Sequence, residues 1–239
     1  MQSPALSANV PAAPVAGLPI RLPNGARIVL RPIVPEDGPK LHGGMAALSA
    51  AARRHRFFTA KNHLTEDLVR YLTDIDYRSH FAWVAEDVER EGHPVVAVGR
   101  YVTLDADAAA EASDGTPGTP GTPGASKVAE IAFVVGDDYR CQGVATMLLD
   151  LLTIVAAANG IGHFFARVLD DNLAMRHLLT KAGGRLGIDE VGVLRTTFDL
   201  PATTGRFSVE EVLAIARSAA DASGIARCSR TARSSGAAR

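Results

Sequence analysis

Tyr139-Arg140-Cys141-Gln142-Gly143-Val144-Ala145-Thr146 follows directly on the apolar run from Ile131 to Val135. That order reads as a strand, a short turn, and a helix opening with Arg-x-x-Gly-x-Ala. Such a turn points free backbone N–H groups and the positive end of a helix at one place. An anion such as a pyrophosphate is what such a place binds. Gly143 lets the backbone approach the ligand closely, and Ala145 keeps the next helical turn from blocking it. Glu130, five residues before the end of the strand, is a candidate base. Carboxylate and turn together imply an enzyme that holds a phosphate-bearing acyl carrier.

The elements that must position these groups follow from pattern. Ile20 to Leu22, the Asn24-Gly25 turn and Ala26 to Leu30 spell a hairpin. Pro35-Glu36-Asp37 opens a helix reaching about Leu48, and Thr65 caps another running to Leu72. Phe81 to Ala85, Val95 to Leu104 and Val128 to Val135 are predicted strands. Val144, Leu148, Leu151, Leu152 and Val155 recur at helical spacing, which predicts a helix over Gln142 to Ala158, ended by Gly160. His163 to Leu169 is then a strand, and Asn172 to Ala182 a helix before Gly183-Gly184. Arg185 to Glu190 and Val193 to Leu200 close as a hairpin, and Ser208 to Ala220 forms a last helix. Strand, helix, strand in this half implies at least one parallel pair joined by a crossover.

Composition sets bounds on function. The 239 residues suffice for one large domain or two small ones, and a net charge of −1 gives no case for nucleic acid as a bulk partner. Two cysteines, Cys141 and Cys228, are too few for a disulfide framework and fit a cytoplasmic setting. No apolar run approaches the ~20 residues that a membrane-spanning helix needs, so no membrane partner is expected. Residues 1–17 read as a disordered leader and 18–200 as the catalytic domain. Residues 105–127, with three Thr-Pro-Gly triplets, read as a flexible loop inserted between strands. Residues 201–239 read as a helix and a disordered basic tail. No pair of His or Cys has metal-ligand spacing, and neither Gly-x-Ser-x-Gly nor a Walker-type Gly-Lys-Ser/Thr occurs. The cluster Arg53-Arg54-His55-Arg56-Phe57-Phe58 is too short for a nucleic-acid surface. Its phenylalanines are assigned to the core, and one arginine to shaping an acceptor cleft or pairing internally.

The chain resembles the GNAT superfamily of N-acetyltransferases. The resemblance rests on Arg140, Gly143 and Ala145 after a strand, on Asn172-Leu-Ala-Met175 about thirty residues later, and on the order of elements from Leu18 to Leu200. More narrowly it is similar to the catalytic domain of bacterial protein lysine acetyltransferases of the Pat type. Leu30-Arg31-Pro32-Ile33, Pro35-Glu36-Asp37, Arg56-Phe57-Phe58, Val98-Gly99-Arg100-Tyr101 and Ala129-Glu130-Ile131 carry that likeness. The resemblance implies a mixed α/β fold with a central, mostly antiparallel mixed sheet, flanking helices, and a parallel pair that splays open at the acyl-CoA cleft. It implies acetyl-CoA as cosubstrate, no metal, and direct transfer of acetyl to a primary amine. A protein lysine is the favoured acceptor. A small amine, or a non-catalytic CoA-binding sensor, are the alternatives.

The same resemblance assigns residues. Glu130 falls at the position of the catalytic glutamate. Phe133, Val134 and Val135 would meet the pantetheine arm through their backbone. The turn of Arg140, Cys141, Gln142, Gly143, Val144, Ala145 and Thr146 would hold the pyrophosphate, and Asn172 would contact the carrier, with a helix-capping role open beside that one. Two departures stand out. The 239 residues leave no room for a cyclic-nucleotide-binding or CoA-ligase-like domain, so regulation of that kind is not expected. Leu178-Leu179 occupies the register where many relatives place a tyrosine general acid.

Overall fold

The computed structural model describes residues 16–59, 63–112 and 126–224. Eight strands form one sheet: β1 (Leu18–Arg21), β2 (Arg27–Pro32), β3 (His80–Asp87), β4 (Val95–Thr103), β5 (Lys127–Val135), β6 (Ile161–Leu169), β7 (Gly187–Glu190) and β8 (Val193–Asp199). Their spatial order is β1-β2-β3-β4-β5-β6-β8-β7. Every neighbouring pair is antiparallel except β5 and β6, which run parallel. Parallel neighbours need a crossover. Here it is α5 (Val144–Ala158), whose residues Met147 to Ala156 are all buried.

α5 packs on β3 and β4, with α7 (Val209–Ala222) beside it. Gly99 of β4 permits that approach: a Cβ there would stand 3.0 Å from the Cβ of Leu148 and from the ring of Phe133. Because side chains alternate along a strand, Val98 and Arg100 point to the opposite face. That face carries α1 (Gly38–Ala47), α2 (Ala50–Phe57) and α3 (Glu66–Thr73). Thr65 caps α3 as expected, its side chain accepting from the N–H of Leu68 at 3.3 Å. The α1 face is anchored by a buried ion network. Arg31 of β2 forks onto both oxygens of Asp37 at 2.8 and 2.6 Å, and its Nε donates to Glu86 of β3 at 2.8 Å.

Three elements differ from the sequence reading. A 3₁₀ turn at Pro35–Asp37 precedes α1, so the first helix starts three residues late. α2 was not expected as a helix at all. Residues 105–127 were read as loop throughout, yet Ala106–Ala112 form α4, whose Ala109 and Ala112 pack on Val128 and Phe165. Alanine is the strongest helix former, and the run Ala108-Ala109-Ala110 supplies it. The Thr-Pro-Gly triplets, most of the leader and most of the basic tail lie outside the described residues.

Candidate active site

β5 and β6 pair only at their beginning. Lys127 lies opposite Ile161, Val128 opposite His163, Ala129 opposite Phe164 and Glu130 opposite Phe165, with a bulge between Lys127 and Val128. Beyond Glu130 the strands part. Ile131 to Val135 keep β4 as their one strand partner, and Ala166 to Leu169 pair with β8 alone. The edge of β5 that faces the gap therefore carries N–H and C=O groups with no ladder partner, and such groups demand one. Glu130 sits where the gap opens.

The far end of the gap is the turn after β5. Cys141 at φ 58° and Gly143 at φ 81° are both left-handed, and together they curl the chain so that the N–H groups that follow face one concavity. Gly143 is the N-cap of α5 and offers no side chain to it. The first intrahelical bond runs from Met147 N–H to the carbonyl of Gly143 at 3.1 Å. The N–H groups of Val144, Ala145 and Thr146 are thereby left without an intrahelical acceptor, at the positive end of a 15-residue helix. The arrangement suits a diphosphate.

Gap and turn form one cleft of about 670 Å³. Ten of the twelve predicted site residues line it: Phe133, Val134, Val135, Arg140, Cys141, Gly143, Val144, Ala145, Thr146 and Asn172. Gln142 does not. Its Oε1 accepts from the N–H of Asn24 at 3.0 Å, so its side chain ties the turn to the β1–β2 loop. Glu130 lines an adjoining crevice that shares Phe133, Asn172 and Met175 with the cleft. Asn172 caps α6 (Leu173–Lys181), its Oδ1 accepting from Met175 N–H at 3.2 Å, and still faces the cleft. Phe133 is likewise both core, at 7% exposure, and cleft wall. Arg140 is held by Asp137 at 3.0 Å.

What sequence reasoning missed is the roof. α2 crosses the mouth, and its His55 and Arg56 line both cleft and crevice. It is fixed at one end by Ser49, which caps it and also donates through N–H and Oγ to Asp137, both at 3.0 Å. At the other, Arg54 pairs with Asp171 and His55 Nε2 lies 3.1 Å from the same carboxylate. Burial pushes the Asp137 carboxyl up, but the Ser49 bonds and Arg140 outweigh it and leave the group below the usual carboxylate range. Arg56 is half-buried and stacks on the Phe57 ring at 5.1 Å from its centroid. Desolvation lowers its pKa, and the field of Glu130 opposes that shift, so the two groups sense each other across the crevice. Ser followed by three alanines was the available signal for α2. On α6, His177 and Lys181 also face the cleft.

Comparison with known proteins agrees with this geometry. A family model described as an acetyltransferase (GNAT) domain matches residues 27–185. Acetyltransferase Pat of Mycolicibacterium smegmatis is 32% identical over 190 residues, which is 80% of this chain and 51% of that protein. The chain thus spans about half the length of that relative. Acetyltransferase PA5475 of Pseudomonas aeruginosa is 28% identical over 162 residues, covering 68% of this chain and 77% of the relative. Among solved structures, the GNAT domain of S. lividans PAT aligns with a TM-score of 0.63 at 30% identity, over 77% of this chain and 97% of that one. The match begins at the first residue of β2 and extends past the end of α6, so it contains the splayed strands, the left-handed turn after β5 and the crossover helix: this chain belongs to the GNAT acetyltransferase family.

Proposed function

We propose that this chain transfers acetyl from acetyl-CoA to the side-chain amine of a protein lysine, with Glu130 as the base. One observation carries the reading: Glu130 stands at the point where β5 and β6 separate, beside a cleft whose other end is the turn with free N–H groups at the start of α5. Bound there, acetyl-CoA would supply an acyl group activated as a thioester, and a thiol to leave with. The protein supplies position and a proton acceptor.

The residues then have separate duties. The N–H groups of Val144, Ala145 and Thr146, with Arg140, would hold the diphosphate. The exposed edge of Phe133 to Val135 would take the pantetheine amides, and the side chain of Phe133 would fill the base of the gap. A lysine amine, with a pKa near 10.4, is neutral in only about one part in a thousand near pH 7, so freeing its lone pair costs roughly 4 kcal/mol. Glu130, reached directly or through one water, takes that proton, and the neutral amine then attacks the thioester carbonyl. No side chain at Leu178 or Leu179 can return a proton to the sulfur. A thiol of pKa near 8.5 can leave as the anion.

The lysine assignment leans on the two acetyltransferase relatives named Pat and PAT, one of them twice as long as the matched region. Its test is incubation of the purified chain with labelled acetyl-CoA, a panel of proteins and a panel of small amines. Label on protein lysines is the expected result; label confined to small amines removes the lysine acceptor.

The diphosphate turn has its own test in Gly143→Val. A Cβ at this position meets nothing within 4 Å, so the substitution acts through conformation, not collision. A left-handed backbone costs an L-residue roughly 1–2 kcal/mol, and a β-branched one more. The turn should rotate out of φ 81° and scatter its N–H groups. Affinity for coenzyme A, measured by calorimetry, should fall at least about tenfold, since 1.4 kcal/mol is a factor of ten, while the circular dichroism stays that of the parent. An unchanged affinity would strip the turn of its role.

A further inference from the structure

A second cavity lies on the other side of Arg56 from the crevice, between α1, α2 and β4. Its volume is about 170 Å³, and Leu41, Met45, Leu48, Val98 and Val134 are among the apolar residues of its wall. Cavities of about 150 Å³ with such walls accept a benzene ring. Charged residues interrupt the apolar lining: Arg56, Arg90, Arg100, Asp137 and Asp138.

Arg100 is 5% exposed. Its Nη2 donates to the carbonyl of Leu72 at 3.2 Å and its Nη1 lies 2.9 Å from Nε2 of His80. A guanidinium has no acceptor atom, so Nε2 must accept and His80 must be neutral. Burial, and then the charge of Arg100, push the His80 imidazole down to about 4, in accord with that tautomer. Both hydrogen-bond partners of the Arg100 side chain are therefore uncharged, and among the described residues neither Arg100 nor Arg56 joins an ion pair with a carboxylate. Burial and the neighbouring Arg56 lower the Arg100 guanidinium to about 9. The other charges at this cavity are already matched: Arg90 pairs with Asp138 at 2.9 Å and Asp137 with Arg140 at 3.0 Å. Glu130 reaches Arg56 through its field without contact.

Buried charge without a counter-ion is expensive, and proteins seldom keep it idle. We propose that this cavity is a binding site for a small carboxylate carried on a ring-sized apolar body, with Arg100 and Arg56 as its counter-ions. The apolar walls take the body, and the two arginines take the charge. Inorganic phosphate would leave the walls empty, and a neutral ring would leave the arginines unmatched. Because Arg56 is shared with the crevice, the occupant lies one side chain away from Glu130.

The test uses the full chain, without acetyl-CoA, so it does not depend on the acetyl-transfer reading. Thermal melts and calorimetry with phenylacetate and hexanoate are set against phenylacetamide and hexanamide at fixed ionic strength. At least one acid should bind and raise the melting temperature, and its amide should bind at least tenfold more weakly. Arg100→Met should reduce the acid's affinity at least tenfold. Arg56→Gln, on the more open side of the wall, should weaken the acid in the same direction. Amides that bind as well as acids would reduce the cavity to an apolar hole. Failure of both acids to bind, or an Arg100→Met protein that binds them as tightly as the parent, would assign Arg100 to holding His80 and Leu72 in place and overturn the proposal.

Discussion

Replacing Glu130 by glutamine is expected to lower kcat/KM for an amine acceptor by about 10²–10⁴-fold near pH 7, the usual contribution of a positioned base. Affinity for coenzyme A should stay within a factor of two, because Glu130 lies in the crevice and not on the cleft wall. Glutamine keeps the size and one acceptor oxygen of the side chain and removes its basicity. The change should also fold well. Glu130 is half-buried and, among the described residues, makes no hydrogen bond or ion pair that the substitution would break.

The pH dependence separates proton removal from other roles. In solution the neutral fraction of a lysine amine rises tenfold with each pH unit until its pKa near 10.4. A base matters most where that fraction is small. The gap between parent and Glu130→Gln should therefore be widest near pH 7 and narrow as the pH climbs toward 9 or 10. Rates for both proteins, measured from pH 6.5 to 9.5 with a fixed peptide acceptor, decide the matter. A gap of constant size would mean that Glu130 acts by orientation or charge and not by taking the proton.

How much of this site could be read without the structure depends on which interactions are local. The strand, turn and helix around residues 131–146 are set by periodicity and by glycine within a few residues of one another, and they stand where the sequence put them. The helix begins two residues later than predicted because Gly143 takes the left-handed N-cap, which shifts the first turn to Val144. Cys141 could not be foreseen as left-handed, since a cysteine gives no such signal; only the closed turn around it imposes φ 58°. Gln142 faces Asn24, and no local rule relates residues so far apart in the chain.

α2 shows the opposite failure. Of its eight residues only Ala52 is buried, so the apolar period that reveals longer helices is absent. The Ser49 cap was legible, but the run Arg53 to Phe58 invited a reading by charge instead. Arg56 was consequently left among several arginines when it is the one that borders the cleft, the crevice and the second cavity. Arg100 was hidden for a related reason. Inside Val98-Gly99-Arg100-Tyr101 it looks like the exposed member of an alternating strand, and only the packing of α1 and α3 over that face buries it.

The largest effect on stability is expected from Asp37→Leu. Asp37 accepts both arms of Arg31 and the N–H of Val34 at 3.0 Å, at 2% exposure. Arg31 also donates to Glu86, which Lys40 pairs from α1, so the group ties β2, β3 and the first helix together. Removing one partner leaves charge in a buried place, which typically costs about 3–5 kcal/mol. For a chain of this size that is a loss on the order of 10 °C in melting temperature. Arg31→Met in the same protein should not add a second loss of that size, because it removes the charge that Asp37→Leu strands. A double-mutant cycle should therefore show strong coupling, and additive single effects would mean the ion network holds nothing together. Acid should reproduce part of the damage. Burial pushes the Glu86 carboxyl up, but the bonds from Arg31 and Lys40 outweigh it and hold the folded-state pKa below the ordinary value. The unfolded chain then binds the proton first, so this contribution is complete above the unfolded pKa near 4.3 and is lost as the pH falls through the lower, folded one. Glu86→Gln should flatten that decline between pH 5 and 3 in urea melts, and a slope identical to the parent's would place the acid sensitivity elsewhere.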